Sequence, residues 1–352
     1  MLVYVGIFAI LAAIALNSNN RARPEILLLI AIFLLWFMGW RQNVGCDFSG
    51  YFNRYKNIPA WFDPFDVLDG REAGFRFLTA WLKVNGFSYR WLNITASLIM
   101  LIAYGRYLRV SWQPITEIAL LFPILILQLS MSGLRQGIAV AMLTAACAEF
   151  VEGRRAGTAV WIVLAFQFHT SAIMFLPMAL LAGRSMSLGR LAFAVALLMP
   201  VAIYLMGAGF DDYTDQYVRQ VSGGSTSDGA LPRYLLILLP ALFFWRFRER
   251  FAEAMPQWYP LFQIFSLGTL FVAPVFLVSS LVVHRVTFYL MPASIFLLAS
   301  APRVLRSEYL KHAARLAPFA LYGVYLIGWL CFSSHARACY IPYNSYSFAW
   351  RT

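Results

Sequence analysis

Two short polar clusters carry the residue types best able to do chemistry in this sequence. Arg135-Gln136, preceded by Ser132-Gly133-Leu134, opens one apolar run, and Phe168-His169-Thr170-Ser171 interrupts another. A guanidinium at the end of an apolar run either snorkels to the interface or clamps a phosphate through its planar fork. An imidazole there either satisfies a neighbouring helix or, facing a wet pocket, works as a general base near neutral pH. Ionisable groups are costly at membrane depth, so both clusters mark candidate sites. Two carboxylates, Glu72 and Asp47, and a second basic pair, His284-Arg285, at the start of a later apolar run complete the first set of candidates.

These residues need elements to hold them, and composition says which kind. Of 352 residues, 61% are hydrophobic and 12% charged, and the mean hydropathy is +0.67, far from a soluble globular average. Apolar runs of near-membrane length recur along the whole chain. The fold class expected is all-α, a polytopic transmembrane helical bundle forming a single integral membrane domain over 1–352. The expected full spans are 2–16, 25–40, 90–106, 115–130, 135–151, 190–207, 232–246, 258–281, 285–301 and 316–334, about ten in all. Residues 2–16 read as a first span, because no basic leader or small-residue cleavage site accompanies them.

The segment 157–182 is different. At about 26 residues it makes roughly 39 Å of helix, enough for one tilted span but not for two. Arg154 and Arg155 precede it, and Arg184 and Arg190 follow it. A single crossing would place these basic pairs on opposite sides, against the positive-inside rule. A re-entrant hairpin keeps every strongly basic short loop on one side, raises the count to about twelve membrane helices, and sets His169 at an outward-opening tip. Non-helical backbone at that depth is tolerable only where it lines a wet cavity. Both termini then lie outside, with three long outer segments: 41–89, 208–231 and 335–352. The net charge of +12 reads as an orientation signal rather than a nucleic-acid footprint. The inner loops carry no Gly-rich phosphate loop.

Within the first outer segment, Asp69-Gly70-Arg71-Glu72 has capping-box spacing, with Asp69 as N-cap and Glu72 at the third helical position. The helix that follows is amphipathic. Gly74, Phe77, Leu78, Trp81 and Leu82 share one face, while Glu72, Arg76, Thr79 and Lys83 share the other, so it should lie in the outer interface. Glu72 would cap it and also reach a substrate. Asp47 reads either as a solvated loop residue or as a site carboxylate. Asp211, Asp212 and Asp215 with Tyr213 and Tyr217 read as a solvated helix, with Asp215 and Arg219 paired, or as a sugar-contacting surface. The four cysteines have no paired metal-ligand spacing. Cys46 and Cys339 both fall outside; separate thiols are the favoured state, and an oxidising compartment would allow a bridge.

Several segments, in order, resemble the EpsG group of Wzy-like polysaccharide polymerases. They are Asp47 with Tyr51, Tyr55 and Glu72-Ala73-Gly74-Phe75; Leu134-Arg135-Gln136-Gly137-Ile138-Ala139; Phe168-His169-Thr170-Ser171-Ala172; Arg285-Val286-Thr287-Phe288-Tyr289; and Ile341-Pro342-Tyr343. The resemblance implies a glycosyltransferase of the broad GT-C type in a bacterial inner membrane, joining undecaprenyl-diphosphate-linked oligosaccharide repeat units on the periplasmic side into O-antigen or exopolysaccharide. It implies no cofactor. The partners would be the lipid-linked oligosaccharides, the bilayer, and a flippase and chain-length regulator; no nucleic acid is expected. A diphosphate leaving group needs positive charge where negative charge develops. Arg135 and Arg285 are expected there without a metal, with Arg233 as a third. His169 is the first choice of base, with Glu72 and Asp47 in reserve. Gln136, Thr170, Ser171, His284 and Tyr289 are the remaining expected substrate contacts. The rival readings are another outer-face transferase (an O-antigen ligase or a sugar acyltransferase) and a lipid-linked saccharide transporter. A transporter should show paired repeats and polar residues at mid-membrane, whereas here they gather toward the outer end.

Overall fold

A computed structural model describes residues 1–18, 24–59, 61–67, 71–183, 187, 189–194, 196–197, 200, 229–277 and 279–347. All of its named elements are helices: α1 Leu2–Asn17, α2 Pro24–Gly39, α3 Phe48–Lys56, α4 Ala73–Val84, α5 Tyr89–Leu108, α6 Pro114–Leu121, α7 Leu134–Val151, α8 Arg155–Phe168 and α9 Pro177–Leu181. After the undescribed stretch come α10 Ala230–Arg246, α11 Arg248–Ala254, α12 Tyr259–Val272, α13 Ser280–Ser300, α14 Glu308–Phe332 and α15 Ser334–Cys339. The one pairing of extended backbone among the described residues is an isolated antiparallel bridge between Arg41 and Ser345. Most of the expected span 190–207, the whole of 208–228, Asp69 and the aspartates 211, 212 and 215 lie outside the described residues.

Four described helices are long and apolar enough to cross a membrane: Leu134–Val151, Tyr259–Phe276, Ser280–Val304 and Glu308–Phe332. A fifth follows if α10 and α11, bent by 81° at their junction, form one span. Other expected spans are apolar but shorter. The 16 residues of α1 cover about 24 Å, less than a typical hydrocarbon core of about 30 Å. The expected span 115–130 divides into α6 and a nine-residue π-helix, Phe122–Ser130. The expected span 258–281 corresponds to the membrane-capable helix Tyr259–Phe276, whose last turn is 3-10. α5 is long enough, but Arg90, Asn93 and Arg106 make it less apolar than the four.

The chain forms two compact units. Unit 1 comprises Met1–Met142, Leu164–His169 and Arg315–Thr352, and unit 2 comprises Leu143–Val163 and Thr170–Ala314. In unit 1 the C-terminal tail ties together α1, the end of α2 and the π-helical turn. Phe37 stacks on Tyr343 at 4.8 Å, Tyr4 meets both rings edge-on, and the Tyr340 hydroxyl donates to the Gln128 carbonyl at 2.8 Å. The Gln42 and Tyr346 amides donate to the Asn344 and Trp40 carbonyls. Gly45 shows why this knot tolerates no side chain. Its φ is +100°, and a Cβ would lie 1.9 Å from the Met131 carbonyl oxygen. Cys46 and Cys339 are joined by a disulfide. The expectation of separate thiols is thereby corrected: tail and loop run side by side, with the Gly45 amide donating to the Cys339 carbonyl at 2.8 Å, and sequence spacing does not reveal that pairing.

Unit 2 is built on aromatic packing of α10, α12 and α13, with Trp258 stacked on Phe296 at 3.5 Å and Phe244 against Phe262. It also contains both ends of the segment expected as a hairpin. α8 leads away from Gly153 and the chain comes back, so that Arg155 Nε donates to the Ala182 carbonyl at 3.1 Å. Gly153 and Gly183, each at positive φ, approach so closely that a Cβ on either would lie 3.3 Å from the other's Cα. The segment therefore returns to its starting point. His169 is the single residue between α8 and the 3-10 helix Thr170–Phe175.

Candidate functional site

Three remote stretches of unit 1 meet at one carboxylate. Leu134 begins α7 directly after the non-helical Gly133, which puts Arg135 in the first turn. Two residues after Gly133 the guanidinium is still partly open, with 37% of its side chain exposed. Arg135 Nη1 donates to Glu72 Oε2 in an ion pair, and Arg135 Nε lies 3.4 Å from the Tyr51 hydroxyl. The other Glu72 oxygen, Oε1, is 2.7 Å from His169 Nδ1.

Local structure explains how Glu72 reaches both. It immediately precedes α4 and stands at φ +53°, a left-handed conformation uncommon for a non-glycine residue. This corrects the expected capping box. Glu72 occupies the N-cap position rather than the third helical one, and its side chain makes no cap hydrogen bond. It turns instead to Arg135 and His169, which offer charge-assisted bonds stronger than a neutral amide. Gly74 sets the approach: a Cβ there would lie 2.9 Å from the Gln167 Cβ, so α4 and the end of α8 touch nearly backbone to backbone. Thr79, expected on the polar face, is buried and donates to the Phe75 carbonyl at 2.7 Å, whereas Trp81, expected on the apolar face, is exposed. α4 presses Ala73, Phe75, Thr79, Ala80 and Leu82 inward, with Phe75 edge-on to Tyr51 at 5.6 Å.

The electrostatics follow from this geometry. Burial pushes the Glu72 carboxyl up, but the His169 hydrogen bond and the Arg135 charge outweigh it and hold the carboxyl below its usual range. An ionised carboxylate accepts only, so Nδ1 of His169 must be the donor. In the neutral form of that imidazole the lone pair lies on Nε2. Tyr51, not among the expected site residues, is the aromatic support of Arg135; its buried hydroxyl is pushed up by desolvation against the lowering effect of that arginine. Asp47 is exposed at the start of α3, its amide donating to Ser132 Oγ at 3.2 Å. Its carboxylate is not among the groups bonded to Glu72, Arg135 or His169. Gln136 is half-buried beside Arg135 in sequence.

Unit 2 holds a second group, arranged along the first three turns of α13. Arg233 of α10 lies with Nη1 2.8 Å from His284 Nε2 and its guanidinium carbon 5.1 Å from the centre of the Phe288 ring. One turn on, the Tyr289 hydroxyl bonds Ser171 Oγ at 3.0 Å, and its ring packs on Phe175. Arg233, Thr170 and Tyr289 are buried, whereas His284, Arg285 and Ser171 are half-buried. Sequence reasoning named each of these residues but not the pairs that they form.

A model of the EpsG family matches residues 25–345, nearly the whole chain. No curated protein and no solved structure matches it.

Proposed function

Because this chain belongs to the EpsG family, and is a membrane protein of polysaccharide biosynthesis, we propose that it is the polymerase that joins lipid-linked repeat units by glycosyl transfer at the periplasmic face of a bacterial inner membrane. The observation that carries this reading is that Glu72 holds a base and a guanidinium, His169 and Arg135, on its two oxygens.

In the proposed reaction, His169 Nε2 takes the proton of an acceptor sugar hydroxyl. The oxygen forms its bond to the anomeric carbon of the donor as the bond from that carbon to the diphosphate oxygen breaks. The electron pair leaves with the undecaprenyl diphosphate, and Arg135 stabilises the charge developing there. Glu72 orients the imidazole and balances it once protonated, as the carboxylate does in a hydrolytic triad. Asp47, bonded to none of these three groups, is left without a part in this step. Arg285, Arg233 and His284 are proposed further contacts to anionic substrate oxygens, and Gln136, Thr170, Ser171 and Tyr289 contacts to hydroxyls. The re-entrant course of 157–182, with the outer segments and both termini in the periplasm, belongs to the same proposal. It is supported by the charge pattern, by the return of the chain to Arg155 and by a disulfide in the first and last outer segments, a bond of oxidising compartments.

Deleting the gene and resolving the surface polysaccharide on a gel tests the reading. Single repeat units without a ladder are expected. Long chains in the deletion strain would point to a ligase or acyltransferase, and complete loss of exported saccharide to a transporter.

A further inference from the structure

Arg135 is the proposed phosphate ligand, yet one of its nitrogens is paired with a carboxylate of the same chain. We infer that Glu72 is a positioning residue that occupies the phosphate seat on Arg135 until the lipid diphosphate arrives. This deepens the function proposed above and rests on Arg135 meeting a phosphate.

The geometry gives Glu72 two partners on two different oxygens, Arg135 on Oε2 and His169 on Oε1. The groups facing this pair are Tyr51 from α3, through Arg135 Nε, and Asp47 at the start of the same helix, whose charge reaches Tyr51. Tyr51 fixes one edge of the guanidinium, and Glu72 fills a second. A phosphate that seeks two parallel N–H donors must therefore either accept a single bond or displace the carboxylate. Phosphate and carboxylate are both anions, so they cannot share the seat cheaply. When phosphate takes Arg135, Glu72 keeps His169 alone, and its whole charge bears on the imidazole that is about to take a proton. The backbone supports such an exchange. Residue 72 is held in a sparsely populated conformation just outside α4, the kind of local strain that accumulates at clamps and switches.

This predicts effects in opposite directions from one substitution. Removing the charge of Glu72 frees the seat, so an anion should bind more tightly while turnover falls. A residue that merely supported the fold would weaken both. The experiment uses the full chain in nanodiscs, with inorganic pyrophosphate as the binding probe and repeat-unit polymerisation as the rate. Glu72→Gln should bind pyrophosphate about five- to tenfold more tightly, the loss of one competing ion pair, and polymerise at least about a hundredfold more slowly. Glu72→Asp, retaining the charge, should recover part of the rate and restore the weaker binding. Glu72→Asn, a residue type that tolerates the left-handed backbone, replaces Gln if that variant does not fold. Arg135→Ala should lose pyrophosphate binding. Unchanged or weaker binding in both neutral Glu72 variants overturns the inference, while loss of binding in Arg135→Ala would still uphold the phosphate role of the arginine. Pyrophosphate bound equally by wild type and Arg135→Ala, or by neither, overturns both.

Discussion

At residue 72 a single side chain decides the state of two others, and its chemistry can be read by titration as well as by turnover. The Glu72 carboxyl lies below its ordinary value in the folded protein, so folding favours the ionised form. Its contribution to stability is complete above the unfolded value of about 4.3 and is lost as pH falls through the lower folded value. Thermal unfolding of the purified chain should show an acid-side decline in that window which Glu72→Gln lacks. A decline of equal size in the variant would assign it to other carboxylates. His169 makes the sharper prediction. His169→Gln keeps size and hydrogen bonding but takes no proton usefully near pH 7, and it should reduce polymerisation by on the order of 10²–10⁴, leaving traces of short product on the gel. Normal ladders in this variant would return the imidazole to a packing role. For the arginines, Arg135→Ala and Arg285→Ala should abolish long chains at near-normal protein levels, and Arg135→Lys should recover little, because an ammonium lacks the planar fork. The candidate residues themselves were legible because Arg and His are rare and costly in apolar surroundings. The role of Glu72 was not, because its partners stand 63 and 97 positions away and local spacing offered a capping box instead.

Among the elements, α4 and α8 place the carboxylate, and their contact at Gly74 has a testable consequence. A methyl group there meets Gln167 at 2.9 Å, and the helix ends must part to admit it. Gly74→Ala should therefore cut polymerisation severely, since a misplacement of about 1 Å can cost on the order of a hundredfold. Gly50→Ala in α3, where nothing lies within 4 Å, should match wild type. Product yield per unit of membrane protein distinguishes the two; equal activity in both would show that α4 can shift without cost. The return of 157–182 was legible because charge parity acts on whole loops and survives errors in helix boundaries. The entry into α4 was not. Capping-box spacing puts Glu72 at the third helical position, whereas the helix starts one residue after it. The π-helical turn at 122–130 was equally hidden, since widening a helix by one residue per turn leaves its apolar composition unchanged.

Across the whole molecule, the outward placement of both termini is a prediction in its own right. A reporter active only in the cytoplasm should be silent when fused after Thr352, and a signal there would overturn the topology and the assignment of the reaction to the outer face. The helical class was evident from composition alone, whereas the covalent tie between Cys46 and Cys339 was not, because 293 positions separate its ends. That tie has a consequence in time. Cys46 emerges from the ribosome long before Cys339 exists, and the loop beginning at Gly45 leads directly into α3, which carries Tyr51. The segment that supports Arg135 therefore stays without its covalent tie until Cys339 has been made and has met Cys46. A nascent chain that has reached residue 338 would already carry Glu72, Arg135 and His169, but with Tyr51 on a segment still free of that tie.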